Sequence, residues 1–155
     1  MRAVVQRTAR AAVTVEGLAI GEIGAGMLVL LSVGSGDDDA VTARLAGRVA
    51  TLRIFADEAG RMNLDLAQSG GSVLVVSQFT LHADTSRGHR PSFVHAGAPD
   101  EAERLCGLFV AALRDRGLSV ETGRFGAHME VELVNDGPVT LVLTSGEDAW
   151  RADAG

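Results

Sequence analysis

The chain has no lysine and no tyrosine, a single cysteine, three prolines and one tryptophan. Each shortage removes a class of explanation. With Cys106 alone, no intramolecular disulfide can form, and its place on a predicted helix face marks a packed, inert thiol rather than a nucleophile. Aromatic residues make up 4% of the chain, too little for a row of base-stacking platforms. The net charge of −6 argues against nonspecific coating of nucleic acid, which is driven by phosphate neutralisation. A small contact with one nucleic-acid end remains compatible with it. No apolar run reaches the length of a membrane span, and no charged-then-apolar signal follows Met1. A cytoplasmic setting without a membrane partner is expected.

At 155 residues the chain suits one domain, able to bury roughly 70% of its unfolded surface without a metal or disulfide staple. Strand-like segments open it, at Arg2–Arg7 and Ala12–Gly17, and Met27–Val33 reads as a fully buried strand. Asp37, Asp38 and Asp39 stand where a helix cap and first-turn charges belong. Val41, Leu45, Val49 and Leu52 then follow at helical spacing. Turns are expected at 57–60 and 68–71, with a short half-buried strand over Met62–Leu66. Val73–Leu81 reads as a second long buried strand. Pro99, followed by Asp100 and Glu101, opens a helix striped by Leu105, Leu108, Phe109 and Ala112 and stopped by Gly117. Strand-like pieces near 118–121, 128–134 and 139–143 complete the body. Runs of strands with two segregated helices indicate the α+β class. No strand–glycine-rich-loop–helix unit carries a phosphate-binding fingerprint, and there is no internal repeat or linker.

Two segments carry the chemistry. Ser77-Gln78-Phe79-Thr80-Leu81 places polar side chains at the end of an apolar strand. Its last backbone N–H groups can either hold a developing oxyanion or be satisfied locally by the hydroxyls. As a strand, it would set Gln78 and Thr80 on one face and Ser77 and Phe79 on the other. Thr80 as a nucleophile would need an activating base. His82, His89 and His95 follow it with only Asp84 nearby, and scattered histidines of this kind are expected on the surface. Their spacing matches no zinc site, so no metal is expected. In the second segment, Asn135-Asp136-Gly137-Pro138-Val139-Thr140, Gly137 permits close backbone approach and Pro138 fixes its own φ. Asp-Gly is a hairpin signal, and an ordinary hairpin turn is one reading. A carbonyl lip that accepts bonds from an ammonium group is the other.

Together these segments resemble the signature pair of the D-aminoacyl-tRNA deacylases (the D-tyrosyl-tRNA deacylase family). Val5-Gln-Arg7, Ala12–Gly17, Gly21–Gly26, Arg53-Ile-Phe55, Met62-Asn-Leu64, Gly70–Val76, Arg87-Gly88, Arg90-Pro-Ser-Phe93 and Thr122-Gly-Arg-Phe125 fall in register with it. The resemblance covers residues 1–144 as one domain and leaves 145–155, with Trp150, as an expected flexible tail. It implies mixed and antiparallel sheets forming a barrel-like core, two main helices packed on it, and a homodimer. It also implies hydrolysis of the ester joining a D-amino acid, or glycine, to the 3′ end of tRNA, with no metal or organic cofactor.

Carried over residue by residue, Ser77, Gln78, Phe79 and Thr80 would line the acyl end of the site. The N–H groups of Phe79 and Thr80 would meet the carbonyl oxygen. Gly137 and Pro138, joined by a cis bond and inserted into the partner's site, would filter chirality, with Arg7 holding the corner and Met129 along the wall. Thr80 would position rather than attack, and the ribose 2′-hydroxyl would assist water. Arg87, Arg90 or Arg124 would either grip the acceptor end or serve as structural ion-pair partners. The tail after Thr144 extends beyond the usual end of a family member, and the resemblance assigns no function to His128. A noncatalytic module that captures aminoacyl ends and a threonine-nucleophile hydrolase of small esters are the alternative readings.

Overall fold

A computed structural model gives the fold of residues 1–145; the expected tail from 146 onward, Trp150 included, lies outside the described residues. In chain order the elements are β1 (Arg2–Val15), β2 (Leu18–Ile23), β3 (Gly26–Ser32), α1 (Asp39–Ala50), β4 (Phe55–Ala56), β5 (Met62–Leu64), α2 (Leu66–Ser69), β6 (Ser72–Ser77), a 3-10 turn (Phe79–His82), α3 (Pro99–Arg114), β7 (Ser119–Thr122) and β8 (Glu130–Thr144). The main sheet runs β2-β1-β3-β6-β7, and β8 adds to β1. The β1 pairings are antiparallel, whereas β3–β6 and β6–β7 are parallel, so the sheet is mixed. It curls until β2 packs against β6 and β7, giving a nearly closed barrel in an α+β fold. Gly21 permits that approach: a Cβ there would lie 2.7 Å from the Thr122 carbonyl oxygen.

The continuous apolar runs of β3 and β6 are explained by burial on both faces. Met27, Val29 and Leu31 alternate with Leu28, and Val73 and Val75 with Leu74 and Val76. One set joins Leu45, Val49, Leu105 and Phe109 in the core under α1 and α3. The other meets Val13, Ile23, Met129 and Val131 inside the barrel. The helices form where their signals stand. Asp38 caps α1 by accepting from the Val41 N–H at 2.8 Å, and Pro99 occupies the first turn of α3. Exposed Arg104 ties them at the surface, donating to Glu101 and Asp39 at 2.6 Å each. Ser145, the last described residue, donates its N–H to the Met1 carbonyl at 3.0 Å.

The strand expected over Val73–Leu81 ends at Ser77. Its parallel partner gives out there: Leu31 pairs with Ser77, the Gln78 N–H donates to the Leu31 carbonyl at 2.7 Å, and β3 stops at Ser32. With no strand left to pair with, residues 79–82 wind into the 3-10 turn, and the expected two-faced split of Gln78 and Thr80 from Ser77 and Phe79 lapses. The turn expected at 68–71 overlaps a one-turn helix, α2, whose Asp65 and Gln68 form a reciprocal capping box. Finally, the pieces expected near 128–134 and 139–143 are one strand, β8. The 14-residue β1 is long enough to pair with both arms, so Asp136-Gly137 makes a bulge instead of a hairpin. Between the pairs Gln6–Thr140 and Thr8–Asn135, residues 136–139 stand opposite Arg7 alone.

Candidate active site

The end of β6 separates two cavities. Ser77, continuing the face of Val73 and Val75, points toward α3. It borders a cavity of about 390 Å³ with Gln78, Phe79, Phe93, Ala102 and Phe125. Ser77, Gln78 and Phe79 also wall a second space of about 220 Å³, closed by Gly126, His128 and Met129. Phe79 is 57% exposed and meets the Phe93 ring edge-on at 4.9 Å. An aromatic this exposed has little core purpose; here it stands between two cavities.

The 3-10 turn is fixed from beneath. His82 is buried, against the surface placement its spacing suggested, and its Nδ1 shares a 2.6 Å hydrogen bond with the buried Ser32 hydroxyl. Arg2 Nη1 donates to the Leu81 carbonyl at 2.7 Å. On the upper side, Gln78 Nε2 donates to the exposed Thr80 hydroxyl. Among the described residues no histidine or carboxylate bonds that hydroxyl, so nothing is placed to remove its proton. The backbone N–H groups of Phe79 and Thr80 open the turn, where a helix leaves its first donors without internal acceptors, and neither has a partner among the described residues. They are two adjacent donors, the first on Phe79 at the wall between the cavities and the second on the residue that follows it.

The loop beyond the turn is closed by Asp84 and Ser92, which exchange backbone hydrogen bonds of 2.8 and 2.9 Å. Hydrogen bonds from Ser86 hold the Asp84 carboxyl below its ordinary pKa, with smaller contributions from His95 and Arg87. Among the described residues no cluster of three or more His, Cys, Asp or Glu side chains is arranged for a metal. Cys106 borders the larger cavity, and burial pushes its thiol up to about 11, with Glu103 adding to the effect. That keeps the sulfur protonated and un-nucleophilic at neutral pH.

Gly137 and Pro138 are joined by a cis peptide bond and exposed on the bulge of β8. The corner is braced on both sides. Arg7 Nε donates to the Asp136 carbonyl at 2.9 Å and lies 3.3 Å from its carboxylate, while Arg7 Nη1 donates to the Ile54 carbonyl at 2.5 Å. Asn135 accepts the Val139 N–H at 2.8 Å and donates to the Thr140 hydroxyl at 3.0 Å. At Gly137, φ is +143°, and a Cβ would meet Val139 Cγ2 at 2.8 Å and Arg7 Nη2 at 3.1 Å.

The fold thus brings Ser77, Gln78, Phe79 and Met129 to the cavities, with Thr80 on the adjoining turn. It leaves Arg7, Gly137 and Pro138 elsewhere, since none of them lines either space. Phe93, Phe125, Ser32 and Arg2 received no individual site role from the sequence. The two phenylalanines were detectable in principle, because each sits in a polar, glycine- or arginine-bearing stretch where no apolar periodicity calls for a ring. Ser32 and Arg2 carried no such signal.

A sequence model of the family described as D-Tyr-tRNA(Tyr) deacylase matches residues 4–144. The chain is 57% identical over 145 residues to the D-aminoacyl-tRNA deacylase of Symbiobacterium thermophilum, covering 94% of this chain and 96% of that one. It is likewise 57% identical over 143 residues to the D-aminoacyl-tRNA deacylase of Escherichia coli O1:K1 / APEC, covering 92% and 99%. Among solved structures, one described as c-Myc DNA Unwinding Element Binding Protein superposes with a TM-score of 0.89 at 38% identity, over 94% of this chain and 99% of that one. A probable eukaryotic D-amino acid tRNA deacylase shares the fold, with a TM-score of 0.81 at 17% identity over 92% and 97%.

Proposed function

The chain belongs to the D-Tyr-tRNA(Tyr) deacylase family, and from that premise we propose that it hydrolyses the ester joining a D-amino acid to the 3′-terminal ribose of tRNA. Free D-amino acid and tRNA are the products. Glycine mischarged on tRNA-Ala is a second substrate, having no side chain for a chirality filter to reject. The observation that carries the reading is the pair of successive N–H groups, of Phe79 at the wall shared by two cavities and of Thr80 next to it, that have no partner among the described residues.

An ester carbonyl seated at those donors gains stabilisation as its oxygen becomes negative. Water adds to the carbonyl carbon and loses a proton, the carbonyl electron pair moves to oxygen, and collapse of the adduct expels the ribose 3′-oxygen, which takes up a proton. The neighbouring 2′-hydroxyl of the substrate orients the water and passes the proton. Thr80 is a positioning residue, because its hydroxyl accepts from Gln78 and faces no base among the described residues. An aminoacyl ester is already activated, so alignment and oxyanion contact suffice. The reading calls for no metal or organic cofactor.

A nucleoside that carries an acyl group needs two adjoining spaces. The larger cavity, with Phe93 and Phe125 in its lining, suits the terminal base, and the smaller one beside Met129 suits the acyl side. Gly137 and Pro138 reach neither space within one chain, which favours a homodimer in which each protomer's corner enters its partner's site. Their carbonyls then receive the ammonium of a D-substrate, and an L-substrate collides with the corner. Arg7 and Asn135 brace it. Such a protein works in the cytoplasm.

Matched D- and L-tyrosyl-tRNA, incubated with the purified protein, test this directly. Loss of the D-ester alone is expected. Equal loss of both would remove the filter and leave a general esterase; binding without turnover would leave a capture module.

A further inference from the structure

Although the chain carries a net charge of −6, it keeps three arginines, on the stretches that lead into the walls of the larger cavity, without a partner among the described residues. Most other arginines among the described residues are used structurally. Arg2, Arg48 and Arg114 hold backbone carbonyls, while Arg10, Arg61 and Arg104 hold carboxylates. Arg87, Arg90 and Arg124 do neither: all three are exposed, and none makes a side-chain hydrogen bond or ion pair with the described residues. Arg87 feels Asp84 only at a distance, and that carboxylate is occupied with Ser86. Arg44 on α1 is also without a partner among the described residues, but no residue of α1 lines either cavity.

Their placement is specific. Arg87 and Arg90 project from the loop closed by Asp84 and Ser92, and the chain runs directly from that closure into Phe93, which packs on Phe79. Arg124 precedes Phe125 on the opposite stretch of the same cavity lining. The cations therefore attach to the two aromatic walls of the space assigned above to the terminal base. A guanidinium is always charged and matches phosphate through paired N–H donors. We propose that Arg87, Arg90 and Arg124 form a phosphate cradle for the last nucleotides of the acceptor strand, feeding the ester end into the cavity. This rests on the aminoacyl-tRNA reading and adds the surface that holds the nucleic acid.

The test compares the parent with R87A/R90A/R124A and with the charge-preserving R87K/R90K/R124K. The first probe is an uncharged RNA hairpin with a CCA end, bound across a salt series. Each single-strand phosphate contact contributes about 0.7 to the slope of log affinity against log salt. The alanine variant should therefore bind at least about tenfold more weakly at low salt, with a slope flatter by about two. The lysine variant should keep most of the slope. The second probe sets D-aminoacyl-tRNA against D-aminoacyl-adenosine: kcat/KM should fall for the first in the alanine variant and stay nearly level for the second. Unchanged RNA affinity and slope would overturn the cradle. So would equal losses on both substrates, which would mark a structural role, or dissociation of a dimer in light scattering, which would assign the arginines to a second copy's carboxylates. If the parent hydrolyses neither ester, the deacylase reading falls, while the RNA titration still judges the cradle.

Discussion

Arg7 joins two carbonyls that lie far apart in the chain, Ile54 at 2.5 Å and Asp136 at 2.9 Å, and so pins the Gly137-Pro138 corner to the body of the fold. Arg7→Ala should leave a folded protein with a loose corner. The expected loss in kcat/KM on D-aminoacyl-tRNA is on the order of a hundredfold, as for a misplacement of about 1 Å. Discrimination against the L-ester should shrink as well. Arg7→Lys should recover little, because an ammonium cannot reproduce the planar fork that spans both oxygens. Kinetics on the matched esters, with circular dichroism as a fold control, checks both variants.

Much of this arrangement could be read from the sequence because it depends on local signals. The α+β class followed from strand-length apolar runs and two helices opened by Asp38 and Pro99, and these signals survive in the fold. The signature segments were visible as polar residues at a strand end and as a Gly-Pro step. What escaped depends on contacts distant in sequence. The strand containing Val73 stops at Ser77 because β3 runs out beside it. The Asp-Gly step bulges instead of turning because β1 accepts both arms. His82 is buried because Ser32, 50 residues earlier, meets its ring.

That Ser32–His82 bond supports the turn bearing the Phe79 and Thr80 N–H groups. Ser32→Ala leaves a buried ring nitrogen without this partner, a cost of about 1–3 kcal/mol. In a domain of this size each kcal/mol lowers Tm by about 2–4 °C. Thermal unfolding should show that loss, and kcat should fall more than KM rises, because the donors shift while the cavity walls stay. A fall in Tm with unchanged kcat would show that the turn keeps its geometry without the bond.

Gly137 has φ of +143°, and an added Cβ would sit 2.8 Å from Val139 Cγ2. Gly137→Ala should strain the bulge by about 1–3 kcal/mol. The corner would be displaced, lowering turnover of the D-ester and relaxing rejection of the L-ester. The ratio of the two rates is the decisive quantity, since general destabilisation would lower both in proportion.

Burial raises the Cys106 thiol to about 11 from an ordinary value of 9.0. Below pH 9 the thiol is neutral in both folded and unfolded chains and contributes nothing to pH dependence. Between pH 9 and 11 the unfolded chain gives up its proton while the folded one retains it, so stability falls as pH rises. The limit for a two-unit shift is about 3 kcal/mol. Denaturant midpoints for the parent should drop across that window more steeply than those for Cys106→Ala. Parallel curves would mean the sulfur gains water more readily than its packing suggests.

Thr80 decides between two mechanisms. Its hydroxyl accepts a hydrogen bond from Gln78, which withdraws electron density from the oxygen, and no base faces it among the described residues. A nucleophile in that position would be poorly activated. The Thr80 N–H, by contrast, belongs to the backbone and survives any side-chain change. Thr80→Ala should therefore retain turnover within about tenfold, whereas loss of a true nucleophile costs several orders of magnitude. A D-aminoacyl-tRNA ending in 2′-deoxyadenosine should behave in the opposite way and be cleaved far more slowly by the parent. If Thr80→Ala abolished turnover while the deoxy substrate reacted normally, Thr80 would be the nucleophile, and the proton path through the ribose would have to be abandoned.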